Sequence, residues 1–151
     1  MASASPATLL LCIGNALRGD DGVAHRVGEA VEDLRLPALT IVLTHQLLPE
    51  HAYLLSESDS VIFLDCSVDT TPGAVTTRPL NSAAELPRIL THHLGPDSLL
   101  RMAADLYQRT PAHATLITIG AASLDLGEQL SPTVEQAIPA AIAAIRAALN
   151  V

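Results

Sequence analysis

Residues 9–22, with the sequence LLLCIGNALRGDDG, constrain the fold of this chain more than any other stretch. The apolar run from Leu9 to Ile13 predicts a buried strand over about 8–13, and the glycines and asparagine after it predict a tight loop. Asp20 and Asp21 then stand where a helix would begin. Strand, loop and helix in this order are typical of a parallel α/β sheet, in which ligands bind beyond the carboxyl ends of the strands. The sequence therefore places two adjacent carboxylates where such sheets bind ligands.

The paired acids also have a purely structural interpretation. Asp20 or Asp21 could accept hydrogen bonds from the backbone N–H groups of the first helical turn and complement the helix dipole, which stabilises a helix by about 0.5–2 kcal/mol. These residues alone leave both interpretations open.

Four further segments predict strands, and segments with helical spacing alternate with them. The strands are expected at 38–43, 60–65, 74–79 and 114–119. The run 60–65 is continuously apolar, as in a strand that is covered on both faces, whereas 74–79 is partly polar and ends in proline, as in an edge strand. We therefore expect one domain over 1–151, with 1–7 frayed. Its fold class is α/β: a three-layer α/β/α sandwich around a mostly parallel five-stranded sheet with one antiparallel edge strand.

Apolar residues at intervals of three or four predict which side chains of the helices face the sheet. These are Val23, Val27, Val31 and Leu34 in the first helix, and Leu99, Ala103 and Leu106 in the helix that ends near residue 108. The last helix is expected to begin at residues 131–132, and Pro139 predicts a kink within it.

Composition excludes several classes of protein. Hydrophobic residues make up 49% of the 151 residues and aromatic residues 2%, which predicts an aliphatic core rather than a disordered chain. The formal net charge is −8, and no lysine or basic cluster is available to contact phosphates, so we expect no nucleic-acid partner. The apolar run at 9–13 is too short for a signal peptide core or a membrane span. We therefore expect a cytoplasmic protein with no membrane partner.

Asp65 and His92 occupy positions from which they could join Asp21. Asp65 ends the strand at 60–65, and His92 precedes the helix that ends near residue 108. If Asp21 and Asp65 approach within about 4 Å, they repel by roughly 4 kcal/mol at an effective dielectric constant near 20, which is more than a helix dipole offsets. A divalent cation or a shared proton would relieve that repulsion. Two carboxylates and one imidazole form an open site suited to a borderline metal, with positions left for water or a substrate.

Other catalytic patterns fit this sequence less well. It contains neither the H-E-x-x-H pair of a helical zinc protease nor the G-x-S-x-G turn of a serine hydrolase. Cys12 and Leu17 occupy the outer glycine positions of a dinucleotide-binding G-x-G-x-x-G, and the paired acids would repel a pyrophosphate. Cys12 and Cys66 are expected to be core thiols, because the anionic Asp65 beside Cys66 disfavours a nucleophilic thiolate.

Four features together resemble the nickel-iron hydrogenase maturation proteases, and the resemblance extends over nearly the whole chain. They are the motif G-N-x-L-x-G-D-D-G at 14–22, the strand that ends at Asp65, His92-x-Leu94-Gly95, and Gly120 followed by L-S-P-x-V at 130–134. The resemblance implies a small cytoplasmic α/β/α endopeptidase. Such a protein removes a C-terminal extension from the large-subunit precursor of a nickel-iron hydrogenase after nickel has been inserted.

The same resemblance implies roles for individual residues. Asp21, Asp65 and His92 would bind the metal, with His93 as the substitute ligand, and the nickel would be carried by the substrate rather than bound tightly by the free enzyme. Asp21 or Asp65 could also act as the general base for water. Two alternatives remain. One is a non-catalytic nickel carrier or chaperone for hydrogenase assembly that uses the same three residues, and the other is a plain α/β domain in which the acids are caps.

The sequence departs from the family pattern at three places, one of which is Ala24, where the family often has a glycine shortly after the paired acids. Cys12 stands where the family usually has a glycine, and T-H-Q-L-L-P-E at 44–50 replaces an Asp-Gly turn that many members carry, so no role of that aspartate is transferred to this chain. The remaining histidines considered, His25, His51 and His113, are expected to be surface or strand-end residues.

Overall fold

The structure is a computed structural model that describes residues 7–80 and 94–151. Within these ranges the strands are β1 (Thr8–Ile13), β2 (Leu39–Thr44), β3 (Ser60–Ser67), β4 (Val75–Pro79) and β5 (His113–Gly120). The helices are α1 (Val23–Asp33), α2 (His51–Ser56), α3 (Pro96–Tyr107), α4 (Pro132–Glu135) and α5 (Ile138–Leu149), and a short 3-10 helix at Gly19–Gly22 leads into α1.

The strands form one sheet in the order β2-β1-β3-β5-β4. β1 is parallel to both β2 and β3, β3 is parallel to β5, and β4 is antiparallel to β5 at the edge. This topology confirms the mostly parallel five-stranded sheet with one antiparallel edge strand. After β1 the chain moves to β2 on one side and later to β3 on the other. The order of strands therefore reverses at β1, and the crevice beyond the carboxyl ends of β1 and β3 is the place where such sheets bind ligands.

Helices cover both faces of the sheet, which confirms the three layers. Alternate side chains of β1 point to opposite faces, as expected of an extended strand. Leu10 and Cys12 are buried in the core shared with α1 and α5, whereas Leu9 and Leu11 are buried in the core shared with α2 and α3. Burial on both faces explains why the strand sequence is continuously apolar.

The predicted burial of two leucines is wrong. Leu34 is 43% exposed and Leu106 is 60% exposed, although Val23, Val27, Val31, Leu99 and Ala103 are fully buried as predicted. Both exposed leucines lie at the C-terminal end of a helix, since α1 ends at Asp33 and α3 at Tyr107. The apolar stripe is therefore buried along the body of each helix but not at its C-terminal end.

The proline in the last helical segment separates two helices. α4 ends at Glu135, and α5 begins at Ile138 with Pro139 in its first turn. A proline is tolerated there because the first N–H groups of a helix have no intrahelical acceptor. The predicted kink is therefore a break between α4 and α5. None of the helices in the described ranges is long and apolar enough to cross a membrane.

Candidate functional site

Asp21 reaches the carboxyl edge of the sheet through a tightly packed loop after β1. Its Oδ2 accepts a hydrogen bond of 2.8 Å from the backbone N–H of Asn15, and the side-chain Oδ1 of Asn15 accepts one of 2.9 Å from the N–H of Leu17. A Cβ atom on Gly14 would overlap the carbonyl oxygen of Asp21, so only glycine allows this approach. The loop thus holds the backbone and one carboxylate oxygen of Asp21.

Asp65 lies near the end of β3, the strand next to β1. Its Oδ1 accepts a hydrogen bond of 2.7 Å from the N–H of Cys66. Burial raises the pKa of Asp65 to about 6; the bond from Cys66 opposes this rise, and the negative charge of Asp21 adds to it. The two carboxylates therefore interact electrostatically at one edge of the sheet.

Asp21 and Asp65 share an arrangement that suits them to bind or react. In each, a backbone N–H fixes one oxygen. Within the part of the chain that the structure describes, no group donates a hydrogen bond to the other oxygen, Oδ1 of Asp21 or Oδ2 of Asp65. An oriented carboxylate with one available oxygen can bind a cation or accept a proton from water.

Asp20 has a different environment from its neighbour. Its side chain is fully buried and accepts four hydrogen bonds, from the N–H groups of Ala122, Ser123 and Ser131 and from the hydroxyl of Ser131. Burial alone would raise the pKa of Asp20, but these hydrogen bonds outweigh it and hold the pKa below its usual range. Asp20 is therefore a buried anion that binds the loop after β5.

Neither acid is the helix cap that the structural interpretation required. No side chain forms a capping hydrogen bond at the start of the 3-10 helix or of α1. Sequence reasoning missed the actual role of Asp20, since its partners lie more than one hundred residues away. In the sequence around Asp20, only the pair of adjacent acids marked this residue as unusual.

The third predicted metal ligand, His92, and its substitute, His93, lie outside the described residues. Among residues 7–80 and 94–151, no group of three or more histidine, cysteine, aspartate or glutamate side chains is placed to hold a metal ion. The structure thus places Asp21 close enough to Asp65 for their charges to interact, and the three-residue metal site stays a prediction.

Two of the other histidines are less exposed than expected. His51 is only 9% exposed, and its Nδ1 accepts a hydrogen bond of 2.9 Å from the N–H of Leu48. His25 is half-buried on α1, where Nε2 bonds to the carbonyl oxygen of Thr44 at 2.9 Å. His113 is exposed at the start of β5, as expected. His25 and His51 both hold backbone in place around the carboxyl end of β2.

The cysteines are neutral thiols at physiological pH. Burial raises the pKa of Cys12 to about 12. Burial also raises the pKa of Cys66 to about 12, and the carboxylates of Asp21, Asp65 and Asp20 add to the effect. Cys12 is fully buried and Cys66 packs against the same core, which confirms that both are core thiols. Thiolate chemistry is therefore disfavoured beside the carboxylate pair.

Neither the protein-family models nor the curated proteins include a match to this sequence. Solved structures do match, over nearly the full length of both chains. The hydrogenase maturating endopeptidase HybD from E. coli superposes with a TM-score of 0.75 at 25% identity, with 95% of this chain and 92% of that chain covered. A hydrogenase 2 maturation peptidase from a Thaumarchaeota archaeon gives a TM-score of 0.72 at 29% identity, with 95% and 97% covered.

A third structure, described as an endopeptidase from Escherichia coli, gives a TM-score of 0.72 at 27% identity, with 95% of this chain and 91% of that chain covered. All three are named as peptidases, which supports the expectation of a peptide hydrolase. Together they confirm the resemblance that the motifs indicated: over nearly its whole length, this chain is similar to the hydrogenase maturation proteases.

Proposed function

We propose that this protein is an endopeptidase that removes the C-terminal extension of the large-subunit precursor of a nickel-iron hydrogenase after nickel insertion. The similarity to solved maturation peptidases supports the class of enzyme. The observation that carries the proposal is the pair Asp21, in the 3-10 helix that follows β1, and Asp65, near the end of the neighbouring strand β3, each with one oxygen held by a backbone N–H. Two like charges held close together at the switch point of the sheet repel each other, and such an arrangement is typical of a site that binds a cation or a proton, which supports the proposal.

Nickel enters this proposal as part of the substrate. Carboxylate oxygens and an imidazole are suitable ligands for a borderline divalent ion, and a cation between Asp21 and Asp65 would relieve their mutual repulsion. We assign Asp21 and Asp65, together with His92 or its substitute His93, to contact the nickel that the precursor already holds. Since these three residues supply only part of a coordination shell, the free enzyme should bind the ion weakly.

Peptide hydrolysis needs a group that takes a proton from the attacking water and returns it to the departing amine. Asp21 or Asp65 can do this, provided that the oxygen that accepts the proton is not bound to the nickel in that step. Asp20 cannot, because four donors already occupy its carboxylate. Cys66 cannot act as a nucleophile instead, because its raised pKa keeps the thiol protonated.

The test is a cleavage assay on the purified precursor, with and without nickel, combined with calorimetry on free nickel. We expect a shortened large subunit only from the nickel-loaded precursor, and weak binding of the free ion. A nickel carrier would show the reverse balance, with tight binding of free nickel and an intact precursor. Cleavage of both precursor forms at the same rate would show that the enzyme does not need nickel to recognise its substrate, although the protein would still be a protease.

A further inference from the structure

Asp20 connects the 3-10 helix that carries Asp21 to the loop between β5 and α4. Its Oδ1 accepts a bond of 2.7 Å from the N–H of Ser131. Its Oδ2 accepts three bonds of 2.8 Å, from the N–H groups of Ala122 and Ser123 and from the hydroxyl of Ser131. Two ends of the same loop therefore converge on one buried carboxylate.

Backbone contacts bring the same two segments together. The N–H of Gly19 donates to the carbonyl of Gly127 at 2.8 Å, and the N–H of Gly127 donates to the carbonyl of Leu17 at 2.9 Å. Gly19 has a φ of +56°, and a Cβ there would meet the carbonyl oxygens of Ser123 and Asp125 at 3.0 Å. The 3-10 helix thus lies directly against residues 122–131 and has little room to shift.

Asp21 follows Asp20 in this four-residue helix, so a movement of one moves the other. From the convergence of four donors on Asp20 we infer that Asp20 is a positioning residue, which fixes the carboxylate of Asp21 by tying the 3-10 helix to the loop at 122–131. The expected effect of Asp20 on cleavage rests on the proposed function, whereas its effect on the position of Asp21 does not. Asp20 itself neither contacts the substrate nor accepts a proton, because its acceptor sites are filled.

A carboxylate is required at this position because every partner of Asp20 is a donor. In Asp20→Asn, the amide nitrogen would face at least one N–H group and leave it buried without an acceptor. Ser131→Ala is a milder change that removes one bond and keeps the three backbone donors. Ser131 forms no capping bond to α4, so this variant affects only its contact with Asp20.

Amide hydrogen exchange on the full chain tests the inference without any assay of activity. The N–H of Asn15 donates to Oδ2 of Asp21 and so reports the position of that carboxylate. In Asp20→Asn we expect the amides of Ala122, Ser123 and Asn15 to exchange about tenfold faster or more, and in Ser131→Ala a few-fold faster. Leu99→Val, in the opposite core layer, controls for global loss of stability.

The cleavage assay provides a second readout. Since the proposed function gives Asp21 a part in both nickel contact and catalysis, a misplaced Asp21 in Asp20→Asn lowers both kcat and kcat/KM by about tenfold or more, and Ser131→Ala lowers them less. If Ala122 and Ser123 exchange faster in Asp20→Asn while the exchange rate of Asn15 and kcat stay unchanged, the inference is overturned, because Asp20 would then hold only the loop. If the unmutated protein cleaves no precursor, the proposed function fails, and exchange at Asn15 alone still decides the positioning role. Should Asp20→Asn not fold, exchange in Ser131→Ala decides it.

Discussion

The backbone N–H of Asn15 donates a hydrogen bond of 2.8 Å to Oδ2 of Asp21, and in the neighbouring strand the N–H of Cys66 donates one of 2.7 Å to Oδ1 of Asp65. Both bonds come from the chain close to the acid, so the local fold orients each carboxylate before any ligand arrives. An asparagine in either position keeps the shape and loses the charge. This makes the two acids well suited to conservative substitution.

Asp21→Asn and Asp65→Asn should each lower the rate of precursor cleavage by about 100-fold or more. An amide can neither take the proton from water nor attract a cation as an anion does, and general base catalysis alone contributes about 10²–10⁴-fold. Asp33→Asn, at the exposed end of α1, is the matched control and should cleave at the rate of the unmutated protein. Urea unfolding should show all three variants folded. A folded Asp21→Asn or Asp65→Asn variant with full activity would show that the substituted acid has no part in cleavage.

The metal-free protein should gain stability from Asp65 as the pH falls. In the folded state the pKa of Asp65 is raised from an ordinary 3.8 to about 6, so the folded state binds this proton more tightly than the unfolded state does. The free energy of unfolding should therefore rise as the pH falls from about 6 to about 4, by up to about 3 kcal/mol relative to Asp65→Asn. Urea unfolding of both proteins from pH 4 to pH 8 measures this difference. A difference that stays constant across that range would show that folding does not raise the pKa of Asp65.

Gly14→Ala should destabilise the protein by about 2 kcal/mol or more and abolish cleavage. The new Cβ would overlap the carbonyl oxygen of Asp21, so the loop must move and take the acid with it. Gly95→Ala is the matched control, because a Cβ there meets no atom of residues 7–80 or 94–151 within 4 Å. Loss of the glycine at this helix N-cap should cost less than about 1 kcal/mol. Equal effects of the two substitutions in urea unfolding and cleavage would mean that the Gly14 contact is unimportant.

His92→Gln and His93→Gln should separate the two predicted ligands. We expect His92→Gln to abolish cleavage of the nickel-loaded precursor and His93→Gln to have a smaller effect. Binding of the nickel-loaded precursor should also weaken as the pH falls through about 6.5, because a proton competes for the imidazole lone pair that a metal needs. Binding to immobilised precursor between pH 5 and pH 8 measures this. If cleavage survives His92→Gln but not His93→Gln, the assignment moves by one residue.

The parts of the fold that depend on local pattern could be predicted from the sequence. The bounds of β1 match the prediction, and β3 was recognised because burial on both faces leaves a continuous apolar run. The predicted burial of Leu34 and Leu106 was wrong because periodicity does not indicate where a helix ends relative to the core it covers.

The candidate site was predictable only in part. Asp21 and Asp65 follow or end strands, and a parallel sheet brings the ends of such strands to one edge. The role of Asp20 depends on Ala122, Ser123 and Ser131, and the burial of His51 depends on the packing of α2. Contacts over such separations in sequence leave no periodic signal in one chain.

Mass spectrometry of the nickel-loaded precursor after incubation with the unmutated protein tests the central claim most directly. Hydrolysis predicts two products, a shortened large subunit and a C-terminal peptide, whose masses add up to that of the precursor plus one water. Neither product should form with Asp21→Asn. A precursor that keeps its full mass with folded, unmutated protein, while that protein binds free nickel tightly, would contradict the protease and identify a carrier.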